Sequence, residues 1–417
     1  LFYECNSVST DTRTINAGSL FICLSGERYD ANEFAEQAIE KGARYVITSD
    51  SNRSNNKNIF YTEDTLLYLQ QLANYHRKKF SIPIIGITGS NGKTSSKELI
   101  NAVLSMHYKV LCTKGNLNNH IGVPLTLLQL NKEHEIAIIE MGANKPGDIA
   151  ELCEIAEPNF GLITNIGRAH LAGFGNFEGV LQTKLALYNS VISREGKLFY
   201  NGDDLVLSAK ATSANKMSYG IQVDVQCKGT LHELNPFVIF SYRIDGYESK
   251  TIKTHLIGEY NLYNFLAAVS IACHFDVPHE LIKQGLENYI PTNNRSQVQK
   301  SNRNTLIIDC YNANPSSMQA ALQSFAKIKH ENKIAILGDM LELGIESHDA
   351  HEEIIELCHQ LSLRLISVGN EFGKIGKSES HFETTDDLEK SDVLNSIGES
   401  LILLKGDRKS TRLNSSH

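Results

Sequence analysis

The stretch Ile84-Ile85-Gly86-Ile87-Thr88-Gly89-Ser90-Asn91-Gly92-Lys93-Thr94 decides how this chain reads. Its first four residues form a short apolar run without alternation, as a strand buried on both faces of a parallel sheet requires. The break at Ser81-Ile82-Pro83 precedes it, and a helical pattern over residues 95–105 follows. Between strand and helix lies a glycine-rich turn ending in Gly-Lys-Thr. Glycines let backbone N–H groups converge on phosphate oxygens, and a helix N-terminus adds its positive end. Lys93 can offset β/γ-phosphate charge, and the Thr94 hydroxyl can ligate Mg²⁺. The segment therefore reads as a phosphate-binding loop over Thr88, Gly89, Ser90, Asn91, Gly92, Lys93 and Thr94. It departs from the strict G-x-x-x-x-G-K-[ST] spacing, because position 87 is Ile and the first glycine stands one residue early. The competing reading is a plain tight strand-to-helix turn.

Outward from this loop, strand-like runs at 135–140 and 160–166 alternate with helical ones at 95–105 and 179–190, the pattern of a doubly wound sheet. Residues 197–257 are richer in strand signals and predict a sheet extension. Upstream, apolar runs at 19–24 and 45–48 flank a helical segment at 32–42, and a longer helix spans 64–79, which together make a small α/β unit. Downstream of Pro291, strands at 305–309, 333–337, 363–368 and 400–404 interleave with helices at 316–329 and 350–361, again α/β. The predicted fold is thus three α/β domains: residues 1–81, a central phosphate-loop domain at 82–292, and a C-terminal Rossmann-like domain at 293–406. At 417 residues the chain is long enough for this division. There is no internal repeat.

Hydrophobic residues at 41% and charged ones at 21% exclude wholesale disorder. No apolar run reaches the 18 or so residues of a membrane span. The net charge of −8 without a Lys/Arg block argues against a nucleic-acid surface, so any anion must be held by a few placed cations. Eight scattered cysteines without a C-x-x-C pair predict reduced thiols and a cytoplasmic protein. Leu1 is not an initiator Met, and the start reads as a cut. Residues 407–417, DRKSTRLNSSH, match a translated sequencing adapter and are expected to lie outside the natural protein.

Several strings carry a family resemblance: Thr88–Thr94, Asp11-Thr12-Arg13, Gly115-Asn116-Leu117-Asn118-Asn119 before Gly122-Val123-Pro124, Glu140-Met141-Gly142-Ala143, Thr164-Asn165-Ile166-Gly167 with Ala169-His170, Tyr311-Asn312-Ala313-Asn314-Pro315, and Leu337-Gly338-Asp339-Met340-Leu341-Glu342-Leu343-Gly344. In this order they resemble the Mur ligases, the ATP-dependent amide ligases of peptidoglycan synthesis, from residue 11 to 406. The last two resemble the branch that adds D-alanyl-D-alanine to a UDP-N-acetylmuramoyl-tripeptide through an acyl phosphate, and so argue against other Mur ligases or folylpolyglutamate-type ligases. A phosphate-loop NTPase that makes no amide is the alternative of another class.

The resemblance implies ATP with two Mg²⁺ ions held by Thr94, Glu140, His170 and Lys184, and a monomer that works in cell-wall synthesis. On the residues alone, Glu140 and His170 follow apolar strands and sit at the ligand edge of a parallel sheet. A strand-end salt bridge and a capping histidine are the plain readings. Lys184 alone reads as a solvated helix lysine. The resemblance implies a lysine carbamylated by CO₂, which turns a cation into a metal-binding oxygen pair; an unmodified lysine on phosphate is the rival. Asn261 and Asn264 read as helix caps, and the resemblance turns Asn264 toward adenine. It likewise directs Arg295 and Asp309 to ATP phosphate and ribose. It places substrate on Thr10, Asp11, Thr12, Arg13, Ser25, Arg28, Asn118, Asn119, Asn312, Asn314 and Lys405. The family's usual His after Tyr29-Asp30-Ala31 is here Asn32, a departure at the UDP end.

Overall fold

The computed structural model describes residues 1–26, 29–53, 56–168, 171–292, 294–378 and 380–406. Its three main sheets follow one another along the chain, in agreement with the α/β class expected. The first has four parallel strands in the order Val8–Ser9, Leu20–Ile22, Tyr45–Thr48, Ile59–Tyr61. The central sheet has ten. Its parallel part runs Val110–Cys112, Ile136–Glu140, Ile84–Thr88, Phe160–Ile163, Lys197–Asn201, Lys216–Gly220, Cys227–Leu234, and Phe237–Ile244 then continues antiparallel, with Tyr247–Glu248 and Ile252–Ile257 beside it. This is the expected extension. The third sheet has six strands in the order Gln297–Lys300, Asn304–Asp309, Ser400–Lys405, Lys333–Gly338, Arg364–Val368, Ser380–Phe382, the first antiparallel and the rest parallel.

All five residues of Ile84–Thr88 are buried, as a strand with helices on both sheet faces demands. On one face the helix Lys93–Leu104 and the largely buried helix Tyr260–His274 pack on Ile85, Ile87 and Ile138. On the other, Asp148–Ala156 and Phe177–Ser193 pack on Ile84, Ile139 and Ile163. From Ile84–Thr88 the chain crosses first to Val110–Cys112 and later, on the other side, to Phe160–Ile163. A crevice at the carboxyl ends of the strands results, where such sheets bind ligands.

Two elements end differently from their sequence patterns. The strand at 160 stops at Ile163, because Thr164 and Asn165 turn their side chains to the phosphate loop. The helix after that loop begins at Lys93, two residues early, since Gly92 itself supplies the left-handed turn before it.

The helix Thr65–Arg77, capped by Asp64, belongs by sequence to the first unit but packs on Gly122–Leu127 and Asp148–Ala156 of the second. Leu20, Ile22, Ile47, Leu69 and Ala73 join the same apolar cluster as Leu127, Ile149 and Leu152. The third sheet has apolar layers of its own on each face. No helix among the described residues is long and apolar enough to cross a membrane.

Candidate functional site

A cleft of about 660 Å³ opens over the carboxyl ends of the central strands. It is walled by the phosphate loop, by residues 118–120 and 140–152, and from across the gap by Arg295, Ser296, Asp309, Tyr311, Asn312, Ser316 and Lys405.

The phosphate loop is shaped by what lies under it. Gly89 has φ +148° and a Cβ there would come within 1.9 Å of the Thr164 hydroxyl. Gly92 has φ +77° and its Cβ would meet the Asn264 side chain at 2.9 Å. Only glycine fits either position. Thr164 Oγ1 and Asn165 Nδ2 both donate to the Asn91 carbonyl, and Asn165 Oδ1 accepts the Asn91 N–H. Ser90 exchanges hydrogen bonds with Gly167. Lys93 Nζ folds back on the Gly89 carbonyl at 2.6 Å, and burial pulls its pKa down to about 8. An anion in the loop would raise that pKa again by charge pairing.

Glu140 ends its strand 1% exposed. Its Oε1 accepts from the Thr94 hydroxyl at 3.1 Å and from Asn118 Nδ2 at 2.8 Å. Its Oε2 is buried and has no partner. An orphaned carboxylate oxygen beside a threonine hydroxyl is what a hard, oxygen-seeking cation fits. Lys184 points inward from the helix Phe177–Ser193 and is 2% exposed. Desolvation, and then repulsion from Lys93, hold its pKa well below the ordinary lysine value. It is therefore not the solvated lysine of the plain reading. The expectation for His170 lies outside the described residues. Among those residues no group of three or more His, Cys, Asp and Glu is arranged to hold a metal.

The asparagines are distributed unlike their sequence reading. Asn264 does not cap its helix. The N-cap is Glu259, and Asn264 lies buried one turn inside, accepting from Ser96 at 3.0 Å and donating to Asn261; both face the cleft. Asn118 reaches Glu140. Asn119 spends its side-chain oxygen on the Ile121 and Gly122 N–H groups, opening the helix Gly122–Leu127. Asn314 caps the helix Pro315–Lys327 in a capping box and donates to Asn91 Oδ1 at 2.7 Å. Across the cleft the Arg295 guanidinium stacks on Tyr311 at 3.6 Å, with Nε unpaired. Lys405, 2% exposed, pairs with Asp309 at 2.6 Å.

Among the described residues of the first unit, none lines the cleft. Thr10, Asp11, Thr12 and Arg13 make a turn in which Arg13 donates to both Asp11 oxygens, holding that carboxyl down to about 2. The Thr12 carbonyl accepts from Lys41. Ser25 donates to Asp30 in the short ladder Ser25–Gly26 with Tyr29–Asp30. Arg28 lies outside the described residues. Asn32 is 6% exposed and bonds Thr48, Ser49, Ser25 and Asp30. It is a buried hub that ties the ladder to the sheet.

Sequence reasoning gave no role to Thr164 and Asn165, which hold the loop, or to Arg168, whose guanidinium reaches Glu346 at 2.6 Å. Thr164 and Asn165 were present in the quoted string Thr164–Gly167 and Arg168 directly follows it, but their partners are distant in sequence.

The Mur ligase middle domain matches residues 87–272, the Mur ligase glutamate ligase domain residues 294–399, and the Mur ligase family catalytic domain residues 4–77. The UDP-N-acetylmuramoyl-tripeptide–D-alanyl-D-alanine ligase of Bacillus subtilis is 36% identical over 97% of this chain and 90% of its own. This chain belongs to the Mur ligase family. Among solved structures, the Mur ligase MurF from Acinetobacter baumannii superposes with TM-score 0.88 at 31% identity, covering 97% of this chain and 91% of that one. MurF from Thermotoga maritima, solved in complex with ADP, gives 0.88 at 26% identity over 98% and 95%. As a Mur ligase the chain is a ligase, and its phosphate loop and Glu140 meet at one crevice.

Proposed function

We propose that this Mur ligase uses ATP to join D-alanyl-D-alanine to UDP-N-acetylmuramoyl-tripeptide, a step of peptidoglycan precursor synthesis. The observation that carries the proposal is a single cleft lined by a phosphate loop with its Lys93 and by a carboxylate with one free buried oxygen, with buried Lys184 near enough to feel the charge of Lys93, in a chain that runs nearly end to end with relatives of that name. The terminal carboxylate of the tripeptide takes the γ-phosphoryl group of ATP, giving an acyl phosphate and ADP. The amine of D-alanyl-D-alanine then attacks the acyl carbon, phosphate leaves, and the nitrogen loses a proton. Both phosphoryl donor and acceptor are anions, so the site must offset their repulsion.

Lys93 does so at the β/γ-phosphates. Thr94 and Glu140 would hold Mg²⁺, with His170 and a carbamylated Lys184 completing the set for two ions. The metal supplies charge compensation at the transferring group. Lys184 is suited to its part because a neutral amine, not an ammonium, adds to CO₂: the N–C bond forms, a proton leaves the nitrogen, and two oxygens take its place. Asn264 and Asn261 face the adenine side, Arg295 and Asp309 the phosphate and ribose. Asn312, Asn314 and Lys405 approach the acceptor from the third unit. Thr10 to Arg13, Ser25 and Arg28 take the UDP end. Residues 1–81, 82–292 and 293–406 act as the substrate, ATP and acceptor domains, and a monomer suffices. All eight cysteines are free thiols, in keeping with a cytoplasmic enzyme.

Product analysis tests this reading. ADP and phosphate are expected only when both the tripeptide nucleotide and D-alanyl-D-alanine are present; steady hydrolysis of ATP without the dipeptide would favour a simple NTPase instead. Lys184→Ala should abolish ligation, and a short carboxylic acid should restore part of it by replacing the lost oxygens. Full activity in that variant would sink the carbamate.

A further inference from the structure

Lys97 is a second fully buried lysine that the reaction above does not use. It lies one turn beyond Thr94 on Lys93–Leu104 and is 0% exposed. Its Nζ donates to the Thr113 carbonyl at 2.7 Å and pairs with Glu98 at 2.8 Å, so its charge is balanced locally. Thr113 follows the edge strand Val110–Cys112, whose ladder to Ile136–Glu140 ends at Cys112 and Ile138. Beyond that point the Thr113 N–H still donates to the Ile138 carbonyl, and side chains add to the ladder. The Thr113 hydroxyl accepts the Glu140 N–H at 3.0 Å and donates to the Ile138 carbonyl. Five residues on, the Asn118 carbonyl accepts the Gly142 N–H at 2.7 Å, and Asn118 Nδ2 reaches Glu140 Oε1. The loop 113–118 thus grips Glu140 twice, by its backbone and by one carboxylate oxygen, and leaves Oε2 as the oxygen without a protein partner.

We propose that Lys97 is a positioning residue for the Glu140 carboxylate, anchoring through Thr113 the loop that fixes which oxygen faces the metal. Without its ammonium the Thr113 carbonyl has no strong donor in a buried setting, and the loop gains a reason to move. The inference rests on the reading of Glu140 as a metal ligand.

The test measures metal binding rather than turnover. Mn²⁺ is titrated into protein saturated with a non-hydrolysable ATP analogue, and free Mn²⁺ is read by its electron paramagnetic resonance. Lys97→Met keeps the apolar stem and leaves Glu98, which is partly exposed, to water. It should weaken Mn²⁺ binding on the order of ten-fold, as lost outer-shell partners do, while metal-free affinity for the analogue stays unchanged. Thr113→Val removes the acceptor for the Glu140 N–H but keeps the carbonyl, and should weaken Mn²⁺ comparably; it decides the matter if Lys97→Met does not fold. Wild-type Mn²⁺ affinity in whichever of the two variants folds overturns the inference. Glu140→Gln separates the levels. If it weakens Mn²⁺ and the other two do not, Lys97 is merely structural. If Glu140→Gln itself leaves Mn²⁺ binding intact, the ligand reading falls and this inference with it.

Discussion

The two junctions of this molecule are built from opposite materials. Where the first unit meets the central one, Leu69 and Ala73 enter a common apolar cluster, and buried Arg77 donates to the Ala156 and Glu157 carbonyls at the end of the helix Asp148–Ala156. Where the third unit meets the central one, the contacts are mostly polar: Asn314 on Asn91, Arg168 on Glu346 and Glu353, and Lys327 on Glu259, with Ile257 and partly buried Phe237 the central residues that reach the third unit's apolar cluster among those described. Apolar burial is strong, nondirectional and lost only by exposing surface to water. Exposed ion pairs are worth little and trade readily for water. The first junction is therefore a fixed mount and the second a separable joint. The cleft lies at the second, with Arg295, Tyr311 and Lys405 lining it opposite the phosphate loop.

The comparison breaks most visibly at Leu69. Leu69→Ala should cost about 2–5 kcal/mol, and because its cluster is shared, the first and central units should lose stability together in one thermal transition. A first unit melting alone would show that the mount is not common to both. Asn314→Asp is the sharper test of the joint. Asp caps a helix as well as Asn but cannot donate to Asn91, so stability should change by less than about 1 kcal/mol while small-angle scattering shows a larger share of extended molecules. A large drop in melting temperature with unchanged dimensions would make the joint a structural seam. The smallest effect belongs to Arg168→Gln, on a half-exposed guanidinium. Stability should move by no more than about 1 kcal/mol, and the dependence of molecular dimensions on salt should flatten, since added salt already screens that pair. An unchanged salt response would assign the joint to its asparagine contact instead.

Much of this was written locally. The strand Ile84–Thr88, the loop after it and the helix beyond were readable because an apolar run, glycines at φ above zero and a Gly-Lys-Thr start are properties of a dozen adjacent residues. The strands at 136, 160, 304, 333, 364 and 400 were readable for the same reason. The three-residue edge strand Val110–Cys112 was not, because so short a run carries no period of its own and exists only by pairing with Ile136–Glu140. Asn264 looked like a cap near a helix start, yet the helix already begins at Tyr260 and Ser96, 168 residues earlier, takes its oxygen. Arg13 looked like a free fork for a diphosphate, and in the structure Asp11 occupies it.

The sequence by itself determined which backbone shapes were allowed, because glycine, proline and apolar spacing act within a few residues. Only the tertiary structure decided the chemistry of the charged groups. Desolvation of Lys93 and Lys184, the unpaired oxygen of Glu140 and the grip of Asn118 on its partner oxygen come from segments separated by tens of residues packing together in the fold. A lysine's proton affinity and a carboxylate's free oxygen are set by what surrounds them, and no local pattern states the surroundings.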